Sequence, residues 1–200
     1  MRCCVSLVRK HARPDAGFSL VELLVTIAIL AVVLAVVTSI TLSSNRLQSR
    51  TVTRAEVQAS SRQALSIMTT ELRQAGADPR LPAAGIVGLA AADSKAIHVR
   101  ADLNGDGVIQ NVEPSEDVTY TYNDSLQTLT RDPGTGPVLL LSHVTALQIT
   151  YFDAANQPLI VLPLSAADAA LVRIIGVTLT SQDRYSHPFT LTTRISLRNV

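Results

Sequence analysis

The sequence predicts an α+β chain, in which a long N-terminal helix packs on an antiparallel β-sheet domain. No proline interrupts the stretch from Asp15 to Asp78, which leaves a helix free to run through it. Within that stretch Leu23–Asn45 holds 23 residues without a charge, most of them Leu, Val, Ile and Ala. Beyond residue 96 the apolar pattern shortens towards a period of two, the signature of half-buried strands.

The first 17 residues form a basic leader, with Arg2, Arg9, Lys10 and Arg13 set against Asp15. The remaining chain holds 13 basic and 15 acidic residues, so the positive charge is concentrated at the start. Residues 18–42 make the membrane segment, since about 20 apolar residues cross the hydrocarbon core as a helix. Basic residues just before such a run keep that end in the cytoplasm, which places the 155 residues after Asn45 on the outer side. A secretory signal peptide has a shorter apolar region with small residues after it. Here the run is longer, and Gly17 precedes it. Both cysteines, Cys3 and Cys4, sit in the leader, so the rest of the chain has none with which to form a disulfide.

Residues 43–76 are expected to continue the helix outward. Val57, Ala64, Leu65, Met68, Leu72 and Ala75 form one apolar stripe at helical spacing, while Arg62, Gln63, Glu71 and Arg73 lie off it. The β-branched cluster at Thr51–Thr53 is a place where a break in the helix is possible. Gly76 ends the helix, and Pro79 and Pro82 prevent its resumption. Residues 77–200 then form the sheet domain. It starts with an Ala/Gly/Pro-rich loop over 78–94, followed by seven runs that read as strands. Asn123-Asp124-Ser125 suits a hairpin turn, and the stretch 165–172 suits one helical turn between strands.

Composition and motifs argue against several function classes. The net charge is +1, there is no Trp, and the aromatic residues are not interleaved with basic ones, so nucleic-acid binding is not expected. His11, His98, His143 and His187 are scattered, and no nucleophile elbow, phosphate loop or zinc spacing accompanies them. No catalytic constellation is expected.

One stretch carries a metal-binding pattern. In DLNGDGVIQNVE, residues 102–113, Asp102, Asn104 and Asp106 occupy the first, third and fifth positions of an EF-hand-type calcium loop. Gly107 stands at the turn, and Glu113 at the twelfth position would close the cage with two oxygens. The Val108 carbonyl would add a ligand, and Gln110 would act through water. The flanks read as strands and Pro114 forbids an exit helix, so this would be an isolated loop rather than a paired sensor. Glu116 and Asp117 are alternatives to Glu113 if the loop tail folds differently. The competing reading is an Asn/Asp/Gly hairpin loop that binds nothing.

The apolar run begins GFSLVELLVTIAIL, and in Gly17, Phe18, Ser19, Leu20 and Glu22 it resembles the processing signal of type IV pilins and of the pseudopilins of type II secretion. The resemblance implies a pilin-like fold and cleavage by a prepilin peptidase between Gly17 and Phe18. It further implies N-methylation of Phe18 and pairing of Glu22 with the terminal amine of a neighbouring subunit. Its implied partners are other major and minor pilins, an inner-membrane assembly platform, and the lipid bilayer before assembly, with the C-terminal domain periplasmic. RQALSIMTTELRQAG and the C-terminal strands are similar to W-type minor pilins, which implies a role in starting a fibre at or near its tip. A J-type pseudopilin is the alternative, and a membrane-anchored calcium-dependent binding protein that does not polymerise is a third reading from another class.

Overall fold

A computed structural model describes residues 19–79, 86–111 and 115–199. It divides into two compact units, 1–48 and 49–200.

In the first unit the described residues form the apolar part of α1 (Leu20–Gln74). The Ser19 carbonyl accepts from the N–H groups of Glu22 (3.0 Å) and Leu23 (3.1 Å), which opens the helix. Mean hydropathy reaches 3.0 over an 18-residue window, and none of that window is buried by protein. Its few hydroxyls turn back onto the helix: Thr26 donates to the Leu23 carbonyl at 2.8 Å and Thr41 to the Val37 carbonyl at 2.9 Å. A surface with its polar groups satisfied internally is what hydrocarbon requires of a spanning segment. Thr51–Thr53, where a break was possible, remains helical. α1 continues through it, and Thr53 Oγ1 donates to the Ser49 carbonyl at 2.9 Å, one of the bonds a helical threonine can make to its own preceding turn.

Among the described residues, the second unit contains the rest of α1, nine strands and a short helix. The strands form two antiparallel sheets, where the sequence suggested one. The first is a five-stranded meander of β1 (Leu89–Ala92), β2 (Ala96–Arg100), β3 (Asp117–Asn123), β4 (Thr128–Asp132) and β5 (Val138–Ser142). The second has β6 (Val144–Phe152), β7 (Pro158–Leu159), β8 (Ile174–Gln182) and β9 (Pro188–Ser196) in the order β7-β6-β8-β9. The division falls at His143, whose φ of 58° lies in the left-handed region and turns the chain out of the β5 run into β6. β7 pairs with only the end of β6, through Tyr151↔Leu159 and Phe152↔Pro158. Hairpin tips of the first sheet meet the same strand instead: Ile149 N–H donates to the Ser94 carbonyl and Val144 N–H to the Gln127 carbonyl, each at 2.9 Å.

β1 and β7 escaped the sequence reading. β1 is Leu-Ala-Ala-Ala inside an Ala/Gly/Pro-rich stretch, and β7 is two residues long, so neither has room to show a period. Between β7 and β8 lies α2 (Ala166–Leu171), capped by Ser165 Oγ, which accepts from the Asp168 N–H at 3.1 Å.

The apolar stripe of α1 meets both sheets. Ala64, Leu65, Met68, Leu72 and Ala75 are buried in one core with Tyr120 and Leu129 of the first sheet and Ile149, Ile175 and Ile195 of the second. Two polar contacts accompany it. Ser61 and Ser181, both buried, share a hydroxyl hydrogen bond of 2.8 Å. Glu71, off the stripe by sequence, is half-buried and takes Arg131 at 2.6 and 2.9 Å as well as the buried Tyr120 hydroxyl. The helix ends at Gly76 as expected: its φ is 76°, and its N–H donates to the Arg100 carbonyl at 2.8 Å. Gly88 passes so close that a Cβ there would lie 2.4 Å from the Gly76 nitrogen.

Candidate functional site

The first candidate is the start of α1. Gly17 and Phe18 lie outside the described residues. Glu22 stands in the first turn of α1 and is exposed. It is the only charged side chain from Phe18 to Asn45. A lone carboxylate on an apolar helix is costly within a bilayer and marks a functional position. Once inside a membrane or a fibre core, its natural complement is a cation that also lacks water.

The second candidate is the loop between β2 and β3, whose flanks are strands as the sequence indicated. Asp102 is fully buried, and its two carboxylate oxygens accept from the N–H groups of Gly105 (2.6 Å) and Gly107 (2.7 Å). Asn104 Oδ1 accepts from the Asp106 N–H at 2.8 Å, and Asp106 Oδ1 from the Val108 N–H at 2.7 Å. Gly105 and Gly107 have φ of 76° and 82°, left-handed values that suit glycine. These bonds wind the chain around the side-chain oxygens of Asp102, Asn104 and Asp106. Glu113 lies outside the described residues.

The described residue that ties the ends of the loop together is Glu116. It is 2% exposed, and its carboxylate accepts from the N–H groups of Leu103 (2.8 Å), Asn104 (3.1 Å) and Gln110 (3.0 Å). Its function is therefore readable without an ion, as an anion held by three backbone donors. Among the described residues, no three His, Cys, Asp or Glu side chains gather as a group able to hold a metal. The sequence offered Glu116 only as an alternative to Glu113 at the loop tail.

The described histidines, His98, His143 and His187, have separate partners. His98 Nε2 pairs with Asp117, which Arg100 Nε also reaches at 3.3 Å. His143 Nδ1 is 3.1 Å from Ser142 Oγ. His187 meets Asp183 in the β8–β9 turn, where the backbone N–H of His187, with help from its ring and from the Tyr185 N–H, holds the Asp183 carboxyl below the usual range.

Comparison with known proteins bears on the first of these candidates. Residues 12–38 match the prokaryotic N-terminal methylation motif. The match takes in Gly17, Phe18, Glu22 and the first half of the apolar run, and it supports a type IV pilin-like protein, in keeping with an α1 long and apolar enough to cross a membrane. No curated protein matches the chain.

Proposed function

We propose that the protein is a minor pilin, cut between Gly17 and Phe18, N-methylated at Phe18, and built into a type IV pilus at or near its tip, where it helps to start assembly. Its role is structural rather than catalytic. The observation that carries this reading is Glu22, the sole charge of an otherwise apolar helix half, lying within the matched methylation motif. Cleavage creates a positive amine on Phe18. An amine leaving water for a fibre core must be paired or neutralised. Glu22 of an adjacent subunit provides the carboxylate, and the apolar faces of the helices then replace lipid with one another. α1 is in this way first a membrane span and then part of the fibre core, with the two-sheet domain outside the bilayer on the periplasmic side.

Glu22→Ala in cells tests the pairing. Processing should remain normal while the amount recovered in sheared fibres drops by at least about tenfold, since losing the partner of a desolvated charge costs more than 1.4 kcal/mol. Unchanged incorporation would contradict the pairing. Gly17→Val should leave the precursor uncut. A J-type pseudopilin would share all of these properties, and recovery from a pilus or from a secretion pseudopilus separates the two.

For the loop we propose a weak calcium site formed by Asp102, Asn104 and Asp106 with the Val108 carbonyl and Glu113, which would steady the face of the domain around β2 and β3. The donor set supports it: three oxygen-bearing side chains at alternate positions, already wound by their own hydrogen bonds. Extracellular calcium modules bind at about 0.1–1 mM. Titration of the detergent-solubilised protein should give binding in that range, abolished by Asp106→Ala. No heat and no rise in melting temperature at millimolar calcium would leave Glu116 as the whole explanation of the loop.

A further inference from the structure

The two sheets have four edge strands, β1, β5, β7 and β9. An open edge offers unpaired N–H and C=O groups to any strand that passes, and proteins blunt it with shortness, irregular register, proline or charge. Three of the four are blunted. The Ala92 carbonyl of β1 accepts from the Leu164 N–H at 2.9 Å. β7 has two residues. β5 has five, and its register with β4 is irregular between Leu129 and Thr130. β9 is different. It runs nine residues, its proline is its first, and its register with β8 continues without a shift from Ile174↔Ser196 to Gln182↔Pro188. Among the described residues, no backbone hydrogen bond reaches 188–196 from the side away from β8. The single charge of β9 does not guard this edge. Arg194 faces Gly176 of β8, and its guanidinium lies over the Phe152 ring of β6, 4.7 Å from the centroid. Gly176 leaves that path open, since a Cβ there would lie 2.5 Å from Thr150 Oγ1 and 3.4 Å from Phe152 Cε2. The charge is thus drawn back over its own sheet, and the edge is left bare.

We propose that β9 is the seam of a homodimer, in which two copies of this chain pair their β9 strands antiparallel about a two-fold axis at Thr192. The pairing joins two four-stranded sheets into one of eight. The strand is complementary to itself. With Thr192 facing its own counterpart, all nine residues find a partner, from Pro188 against Ser196 to Ser196 against Pro188. Facing residues then lie an even number of positions apart in sequence, so each meets a residue of the same sheet face. On the core side Phe189 meets Ile195 of the partner subunit and Leu191 meets Thr193 of the partner subunit. Phe189, Leu191 and Thr193 are half-buried at this rim, and pairing covers them. On the outer side Thr190 meets Arg194 of the partner subunit, so no like charges stand opposite. The Thr178 and Thr192 hydroxyls, 3.3 Å apart, begin a threonine row that the partner's Thr192 continues. A second copy suits the edge better than a strand of a different subunit, because the one cation of β9 is already engaged and the strand's own alternation supplies the match. A two-fold contact closes at two copies and does not propagate along a fibre. The seam goes beyond the pilin reading and does not depend on cleavage at Gly17.

The test uses the full chain in detergent with Cys3→Ser and Cys4→Ser. A single cysteine is placed at Thr192 or at Thr190, both exposed on the outer face of β9. On mild oxidation Thr192→Cys should give a disulfide-linked dimer, since facing residues of an antiparallel pair lie about 4.5–5.5 Å apart at Cα, within disulfide reach. Thr190→Cys should stay unlinked, because its counterpart lies four residues along the seam, about 14 Å away. Light scattering of the cysteine-free chain should show a two-chain species. Thr192→Lys should weaken it roughly tenfold or more with unchanged β-sheet circular dichroism, because it sets like charges opposite one another and gives the edge the charge it lacks. A monomer, equal linking at Thr190→Cys and Thr192→Cys, or a dimer indifferent to Thr192→Lys, as one held by α1 alone would be, overturns the seam. If β9 instead takes a strand of a different subunit, the purified chain stays monomeric and neither cysteine links, and the proposal fails by that result too. Should Thr192→Lys not fold, the contrast between the two cysteine variants decides.

Discussion

Replacing Glu71 with alanine is predicted to be far more damaging than its position beside an apolar stripe suggests. Glu71 accepts from Arg131 Nε at 2.9 and 3.1 Å and from Nη2 at 2.6 Å, with the two side chains 20% and 19% exposed. It also accepts from Tyr120, which is fully buried in the core. Burial, and then Glu71, push the Tyr120 phenol well above its usual pKa, so the hydroxyl stays protonated and needs an acceptor. Glu71→Ala leaves that hydroxyl unsatisfied, a cost of about 1–3 kcal/mol. It also strips Arg131 of a two-pronged partner. Breaking a fully buried pair costs about 3–5 kcal/mol, and a pair one-fifth exposed loses less, on the order of 1 kcal/mol. The sum is about 2–4 kcal/mol. Arg131→Ala should cost about 1 kcal/mol, because Tyr120 keeps its acceptor. Glu71→Gln should recover the tyrosine part. Urea unfolding of the detergent-solubilised chain, followed by β-sheet circular dichroism, measures all three along with the Glu71→Ala/Arg131→Ala double variant. A loss below about 0.5 kcal/mol for Glu71→Ala, the size of an ordinary surface change, would refute the reasoning.

Two further perturbations test the domain. Gly88→Ala would place a Cβ 2.4 Å from the Gly76 nitrogen and 2.8 Å from the Ala75 carbonyl carbon, both backbone atoms that cannot rotate away, so a loss of about 1–3 kcal/mol is expected in the same unfolding assay. The Asp183 carboxyl is held below its unfolded value by the N–H groups of His187 and Tyr185. Its contribution is therefore present at neutral pH and lost as pH falls through the carboxylate range, from about 5 downward. Melting temperatures followed through that range should fall more steeply in the natural chain than in Asp183→Asn, and parallel curves would contradict the assignment.

What could be read from the sequence followed the length of the signals. The apolar run and the stripe Val57–Ala64–Leu65–Met68–Leu72–Ala75 extend over several turns, so their helical period is clear; five of the six stripe residues are buried and Val57 is half-buried. The seven longer strands run for five residues or more, long enough for alternation, or in β5 an unbroken apolar run, to show in the sequence. β1 and β7 are too short to alternate, and the split into two sheets turns on the backbone of one residue, His143, which no composition rule announces. Thr51–Thr53 shows the limit of propensity: β-branched residues disfavour a helix weakly, and a hydroxyl bond to the preceding turn accommodates one of them. Glu71 shows the limit of the stripe. A helix face is decided by what stands opposite, and Arg131, 60 residues away, was not visible from α1. At the N-terminus the order is reversed. Gly17, Phe18 and Glu22 are legible in the sequence because identity and spacing carry the signal, whereas the described structure begins only at Ser19.

The central claim concerns that terminus, and mass spectrometry of the N-terminal peptide of the protein recovered from sheared surface fibres tests it most directly. The account predicts a peptide that begins at Phe18 and carries one added methyl group on its α-amine. Protein absent from the fibres, or a mature chain that still begins in the basic leader, would contradict it.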